Sequence, residues 1–588
     1  MLIALMKKKL CLFALLLGLV WACRQKTEPT HGRDQENNSV GAADRMVEAE
    51  ALARIHCSSC HLYPEPNLLD RESWQTYMLP RMGQFMGIYA HDSLRESLIE
   101  KGPGGEKVRA ANIYPRQPLL GKADWEAIQE FYLSQAPESL PPAAPKSIDT
   151  ALRQFVPVEA KIRLSPPSAT MVRFAEDGRF FIGDANQQSL FYFDGDQNLI
   201  KAAKTREGAV WMEQWGGSLW ITVMGSFSPT DAPKGFIMEL PWDEQAPPRI
   251  RIDGLQRPVH TAYGDLNGDG LTDAVVCEFG KWTGGLRLFT VQPDGSFRGQ
   301  YLSKQPGAIK AYLRDWNQDG LMDVVALFGQ GDEGIQVFYQ KGDGSFRAER
   351  LLRFSPSNGS SYFALADWNG DGREDIIYTA GDNADFKPVL KPYHGVYIFE
   401  NRGKAGFEQV FFYQLNGAYA ALPRDFDGDG DLDLAAISFF PDYQNSPEES
   451  FVYLENREGE FFAQSFSDPT RGRWIVMDAG DYDGDGDEDL LLGSLAFEVV
   501  PPQGLVERWV ADGLPYLILE NQQRYGPSLF RRTEDFPKKG IKWSGFLADY
   551  SYFQAVKVLA ETLNCLRVDG IVSVYSIFPP ALLERRAA

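Results

Sequence analysis

The sequence predicts a multidomain chain: a small all-α module followed by an all-β propeller, with seven blades favoured. Three observations lead there. A nine-residue Asp/Gly-rich stretch returns five times at spacings of 50 to 58 residues, each copy followed by a strand-like apolar run. Two helical stretches bracket one Cys-x-x-Cys-His near the N-terminus. A basic and then apolar leader stands ahead of both.

At 588 residues the chain calls for two or more cores. Its 44% hydrophobic and 13% aromatic content suffices to pack them. A formal net charge of −21 argues against nucleic acid, whose phosphates need Lys and Arg. Much of the excess is Asp in short Gly-rich loops, which points to bound cations.

The leader reads "MLIALMKKKLCLFALLLGLVWAC". Lys7 to Lys9 are basic, and Leu10 to Val20 form an apolar run of 11 residues, too short to span a bilayer but suited to a signal peptide. Ala22 followed by Cys23 resembles a bacterial lipoprotein cleavage box, with Cys23 as the lipidated residue, although Trp21 is bulky for its place. The alternative is an ordinary signal peptide. Residues 24–43 are polar, as a flexible tether would be. The expectation is an exported periplasmic or cell-surface lipoprotein, anchored to the membrane through its N-terminal lipid. Of six cysteines, Cys11 and Cys23 lie in the leader, Cys277 sits in a strand-like run as a small core residue, and Cys565 has no obvious partner. No disulfide framework is indicated.

Cys57, Cys60 and His61 form "CSSCH". The segment 44–56 before them has helical composition, and 124–135 places Trp125, Ile128, Tyr132 and Leu133 on one helical face. Three chemistries compete. Zinc needs four ligands, and no second pair lies at a useful spacing. A thioredoxin-like site expects a βαβ context, which is absent. Covalent haem uses every residue: two thiols for the vinyl groups and the adjacent His61 for the iron. The segment 44–137 resembles the monohaem cytochrome c family on "CSSCH", the flanking helices and the methionines between them. That resemblance implies one covalent haem c and a thioether as sixth ligand. Met82 in "LPRMGQFMG" is the choice, because Pro80 and Gly83 would hold it in a defined loop. Met86, Met78 and His91 are the alternatives. A Pro-rich linker, 138–157, follows.

The repeats begin at Asp265, Asp315, Asp367, Asp425 and Asp481. Short strands with turn chemistry at this period mean propeller blades. Oxygen-bearing side chains occupy positions 1, 3, 5 and 9, and Gly occupies position 6. The set is Asp265, Asn267, Asp269 and Asp273; Asp315, Asn317, Asp319 and Asp323; Asp367, Asn369, Asp371 and Asp375; Asp425, Asp427, Asp429 and Asp433; Asp481, Asp483, Asp485 and Asp489. With a backbone carbonyl at position 7, this pattern suits up to five Ca²⁺ ions. An EF-hand is excluded, because Val276 stands where its twelfth-position Glu would be. The alternative is Asp/Gly turns without metal. The loops resemble FG-GAP or VCBS-type repeats of integrin-like propellers over roughly 255–527. Strand-like stretches at 179–198 and 211–228 add two blades without metal loops, giving seven over 158–527. Residues 528–588 read as helix or divergent sequence.

If the metal loops join the first and second strands of each blade, the opposite face carries His260, Lys310 and Tyr362, each five residues before its loop. The second-to-third connections add Asp382, Asn383 and Asp442, and Trp474 opens the last metal-bearing blade. Polar groups converging on a channel mouth make this the candidate propeller-face site. The expected function is exported electron transfer, with a propeller that binds a redox partner or a small-molecule or carbohydrate substrate. The rivals are a quinoprotein-like sugar or alcohol dehydrogenase and a surface adhesion or assembly protein.

Overall fold

The computed structural model describes residues 42–522 apart from 92, 176, 242–245, 385–387 and 497–503. The leader with Cys23, most of the tether, and the segment 528–588 with Cys565 lie outside the described residues.

Seven four-stranded antiparallel sheets form a ring. Their inner strands are Ala169–Phe174, Ala209–Trp215, Pro258–Gly264, Ala308–Arg314, Ser360–Ala366, Ala418–Arg424 and Trp474–Gly480, which open blades 1 to 7 in turn. Each inner strand touches the next, and the seventh touches the first, so the ring closes. Closure is also sequential: blade 7 takes its outermost strand, Phe155–Glu159, from the segment ahead of blade 1, paired with Tyr516–Asn521. That strand contains Pro157, which lacks an amide N–H and is tolerated because the strand is an edge. The ring therefore starts three residues ahead of the expected boundary at 158.

Second strands such as Asp273–Glu278, Asp323–Phe328 and Asp489–Ser494 are buried at every residue, because neighbouring blades cover both faces of the sheet. Continuous apolar runs, not alternation, are the consequence, each large aliphatic side chain contributing about 1.5–3 kcal/mol. Cys277 is one of these core residues. Fourth strands such as Phe297–Ser303 are mostly exposed, because the rim faces solvent.

The N-terminal module is all helical. Ala42–Cys57 packs on Lys122–Gln135, whose Trp125, Ile128, Phe131 and Tyr132 are buried and whose Leu133 is half-buried. Between them a helical run passes through a π-turn at Trp74–Met78 into the helix Leu79–Phe85. Met82 therefore lies inside a helix and not in a loop. Pro80 is the second residue of that helix, in the first turn where its missing N–H is harmless, and the wide π-turn ahead of it relieves the ring clash. Among the described residues no helix is long and apolar enough to cross a membrane.

Candidate functional site

The thiol pair sits where the first helix ends. Cys57 is buried and Cys60 exposed, and neither is in a disulfide. Burial pushes the Cys57 thiol up. His61 donates from Nδ1 to the Leu62 carbonyl at 2.9 Å, since a carbonyl only accepts; Nε2 is left for a ligand. Burial also holds this imidazole below the usual histidine pKa, in the neutral form that metal ligation needs. Met78, Met82 and Met86 all pack against the apolar cluster that contains Cys57. His91 bonds Ser93 through Nδ1 at 2.9 Å on an exposed turn. Two free thiols, a neutral imidazole and three thioethers around one apolar core form a donor set that fits a c-type haem.

The module is docked on the propeller. Glu100 accepts from the Thr230 hydroxyl (2.8 Å) and the Asp231 N–H (3.0 Å) in the second-to-third connection of blade 2. Trp282, from the same connection of blade 3, meets Phe85 edge-on at 5.3 Å and lies under the Arg81 guanidinium at 5.4 Å. Tyr393, from blade 5, donates to the Leu68 carbonyl at 2.7 Å. The charged Asp332 and Arg353 of blade 4 act on His61. All of these connections belong to one face, and the Asp/Gly loops belong to the other.

Each Asp/Gly loop joins the first and second strands of its blade, where a sharp turn is required. The position-1 carboxylate gathers loop N–H groups, as Asp265 does from Gly268 (2.7 Å) and Gly270 (2.8 Å). In the last two loops the oxygens of Asp425, Asp427 and Asp429, and of Asp481, Asp483 and Asp485, lie within 4.8 Å of one another. Beside the latter, Asp487 is buried with both carboxylate oxygens unpartnered, and burial together with Asp485 and Asp489 pushes it up to about 7. Asp431 holds the same place in the loop before and also has an unpartnered oxygen. A buried carboxylate without a donor fits a cation. The repetition of Asp at position 7 in "DGDGDLD" and "DGDGDED" was the available signal for this second acidic position.

The position-9 Asp has a role that the spacing does not reveal. In all five loops it is fully buried, and both oxygens accept backbone N–H groups. Asp323 takes Trp316 (3.1 Å) and Gln340 (2.8 Å); Asp375 takes Trp368 (3.0 Å) and Asn401 (2.7 Å). Asp273, Asp433 and Asp489 do the same with Leu266 and Val291, Phe426 and Asn456, and Tyr482 and Asn521. This carboxylate ties the Asp/Gly loop to the far end of the third strand.

The face candidates divide. Every inner strand slips register between its first and third residues, a β-bulge repeated in seven blades. His260, Lys310 and Tyr362 all occupy the third position, as do Met171, Trp211, Ala420 and Val476. Lys310 Nζ donates to the Tyr362 hydroxyl at 2.7 Å, and the Trp211 and His260 rings are 4.3 Å apart. Asp382 acts on Tyr419 and Glu333 nearby. Three candidates do other work. Asn383 braces its own connection by donating to the Val389 carbonyl (2.9 Å). Asp442 caps a turn through the Gln444 and Asn445 N–H groups. Trp474 is fully buried against Phe466, inside a core cluster and not at the channel.

Comparison with protein families agrees with the repeats. The model for the FG-GAP-like repeat matches residues 265–326, 315–378 and 425–492. The chain is therefore a seven-bladed β-propeller carrying FG-GAP repeats. No curated protein matches it. Among solved structures, it is similar to a virginiamycin B lyase from Staphylococcus aureus with quinupristin, at 10% identity and TM-score 0.40, covering 62% of this chain and 99% of that one. It is also similar to a chain of the S. cerevisiae Dbp5 complex with Nup159 and Gle1, at 10% identity and TM-score 0.38, covering 65% and 98%. A third is BBS1N in complex with ARL6DN, at 11% identity and TM-score 0.38, covering 63% and 97%.

Proposed function

We propose that this chain is an exported electron-transfer protein, lipid-anchored through Cys23, in which the helical module carries one haem c and the calcium-braced propeller binds a redox partner or substrate. Cys57 and Cys60 would hold the haem covalently, His61 would ligate one side of the iron through Nε2, and Met82, or Met86 one turn on, the other. Haem c supplies a reversible one-electron couple when bound. The position-1, -3 and -5 side chains of each loop, helped by Asp431 and Asp487 in the last two, would hold calcium. The observation that carries the reading is the free thiol pair beside a neutral imidazole with a tied Nδ1, packed on a methionine-bearing core.

The test is expression with haem attachment machinery, followed by acid–acetone extraction. A chromophore that stays with the wild-type polypeptide and is lost in Cys57→Ala/Cys60→Ala supports the reading. A colourless wild type overturns it. One observation favours a second reading, a quinoprotein-like dehydrogenase: the module sits on the face that carries Lys310 and His260, so a substrate oxidised there would be close to the haem. Haem reduction by an added sugar or alcohol, in the presence of a quinone cofactor, would establish it; unchanged oxidised spectra with all of them would remove it.

A further inference from the structure

The third-position ring of the channel is chemically lopsided. Blades 2 to 5 present Trp211, His260, Lys310 and Tyr362 in sequence, whereas blades 6, 7 and 1 present the apolar Ala420, Val476 and Met171. Lys310 is buried, and its ammonium meets the Tyr362 hydroxyl and the faces of Tyr312 (4.8 Å) and Tyr362 (4.1 Å). Among the described residues no carboxylate pairs with it. The channel carboxylates, Glu213 and Asp478, are drawn instead to Arg173, each at 3.7 Å. Next to Lys310, His260 is only 6% exposed, and its Nδ1 has no partner; neither does the Trp211 Nε1 beside it. A buried cation with phenol partners, flanked by unpartnered nitrogens, lacks a negatively charged acceptor.

We propose that the propeller channel binds a small monoanion, an organic carboxylate or an inorganic ion, between Lys310, Tyr362, His260 and Trp211. The ammonium supplies the charge, the tyrosine hydroxyl and the indole N–H supply directed donors, and His260 turns a ring N–H toward the same space. This rests on the reading of the propeller as the binding part of the protein and is independent of the haem. It narrows the ligand class to molecules with one anionic end.

The test is calorimetric titration of the full chain, in calcium and at constant ionic strength, with formate, acetate and chloride. Saturable binding by at least one of them is expected. Binding should be abolished in Lys310→Met and weakened about tenfold in Tyr362→Phe, which loses one charge-assisted hydrogen bond. Carboxylate-only binding identifies an organic ligand, and equal binding of chloride identifies an inorganic one. Lys310→Arg, which keeps the charge, should retain binding and serves where Lys310→Met does not fold. No saturable binding by any of the three overturns the proposal, because the surplus carboxylate at Arg173 would then balance Lys310. Equal binding by wild type and Lys310→Met overturns it too. Cys57→Ala/Cys60→Ala should bind as wild type, so failure of the haem reading and failure of this one are told apart.

Discussion

Oε2 of Glu333 accepts both the backbone N–H (2.9 Å) and the hydroxyl (2.6 Å) of Ser360, joining the second-to-third connection of blade 4 to the inner strand of blade 5. Glu333 is only 3% exposed, and burial pushes its carboxyl from 4.5 up to about 7 against the pull of the Ser360 donors. Between those two values the unfolded chain releases this proton and the folded chain keeps it, so the unfolded state binds fewer protons. Stability from this group is complete below pH 4.5 and is lost as pH rises through 7, by roughly 3 kcal/mol. Urea midpoints from pH 5 to 8 should fall in the wild type. They should fall less in Glu333→Gln, and parallel slopes would refute the assignment.

In the fourth blade's Asp/Gly loop, bracing and the proposed ligation fall to different residues. Asp323, buried and holding two N–H groups, should cost about 2–3 kcal/mol when changed to Asn even in chelator, because the new amide N–H₂ faces a backbone N–H. Asp315 is exposed and holds only N–H groups of its own loop, those of Asp319 and Gly320. Asp315→Asn should cost under about 1 kcal/mol in chelator but lose the rise in melting temperature that the proposed calcium site should give the wild type. Chelator melts of the two variants, with and without calcium restored, decide it.

The parts legible in the sequence were those that repeat. Five Asp/Gly loops, each followed by an apolar run, fix the turn, the buried second strand and the blade period together, and two blades without such loops follow from the strand-like stretches ahead of them. What stayed hidden depends on distant partners. Asp323 looks like one more oxygen ligand until Gln340, seventeen residues on, is seen to donate to it. Pro157 reads as linker because nothing local announces an edge strand whose partner is Leu519. Pro80 and Gly83 are loop residues by composition and point to a loop around Met82, while a π-turn upstream makes them helical. In the channel, Lys310 and Tyr362 are brought together by a bulge in two neighbouring strands, which no single-strand pattern encodes.

Gln318 stands at loop position 4 with φ +60°, where the other four loops have Gly at φ +69° to +82°. A side chain in this region costs about 1–2 kcal/mol, of which glycine's extra freedom in the unfolded chain returns part. Gln318→Gly should therefore stabilise the protein by about 1 kcal/mol in chelator. Denaturant midpoints at constant slope measure it, and a neutral or destabilising result would mean that the turn carries no strain.

Docking of the helical module is the relationship with the clearest mutational handle. Glu100 satisfies the Asp231 N–H and the Thr230 hydroxyl, while Asp231 itself accepts the N–H groups of Lys281, Trp282 and Thr283 and so sets the tryptophan that Phe85 packs against. Glu100→Ala leaves two donors without their acceptor, a cost of roughly 1–3 kcal/mol on the docked state. Trp282→Ala removes the apolar half of the same contact. Neither change touches a blade interior, so the propeller's own unfolding midpoint should stay within about 0.5 kcal/mol of wild type. The undocked module should instead loosen the already exposed Pro-rich segment after Gln135, and limited proteolysis should cut there faster in each variant and fastest in the double variant. Cleavage rates equal to wild type in both would mean that the contacts on blades 4 and 5 hold the module without them.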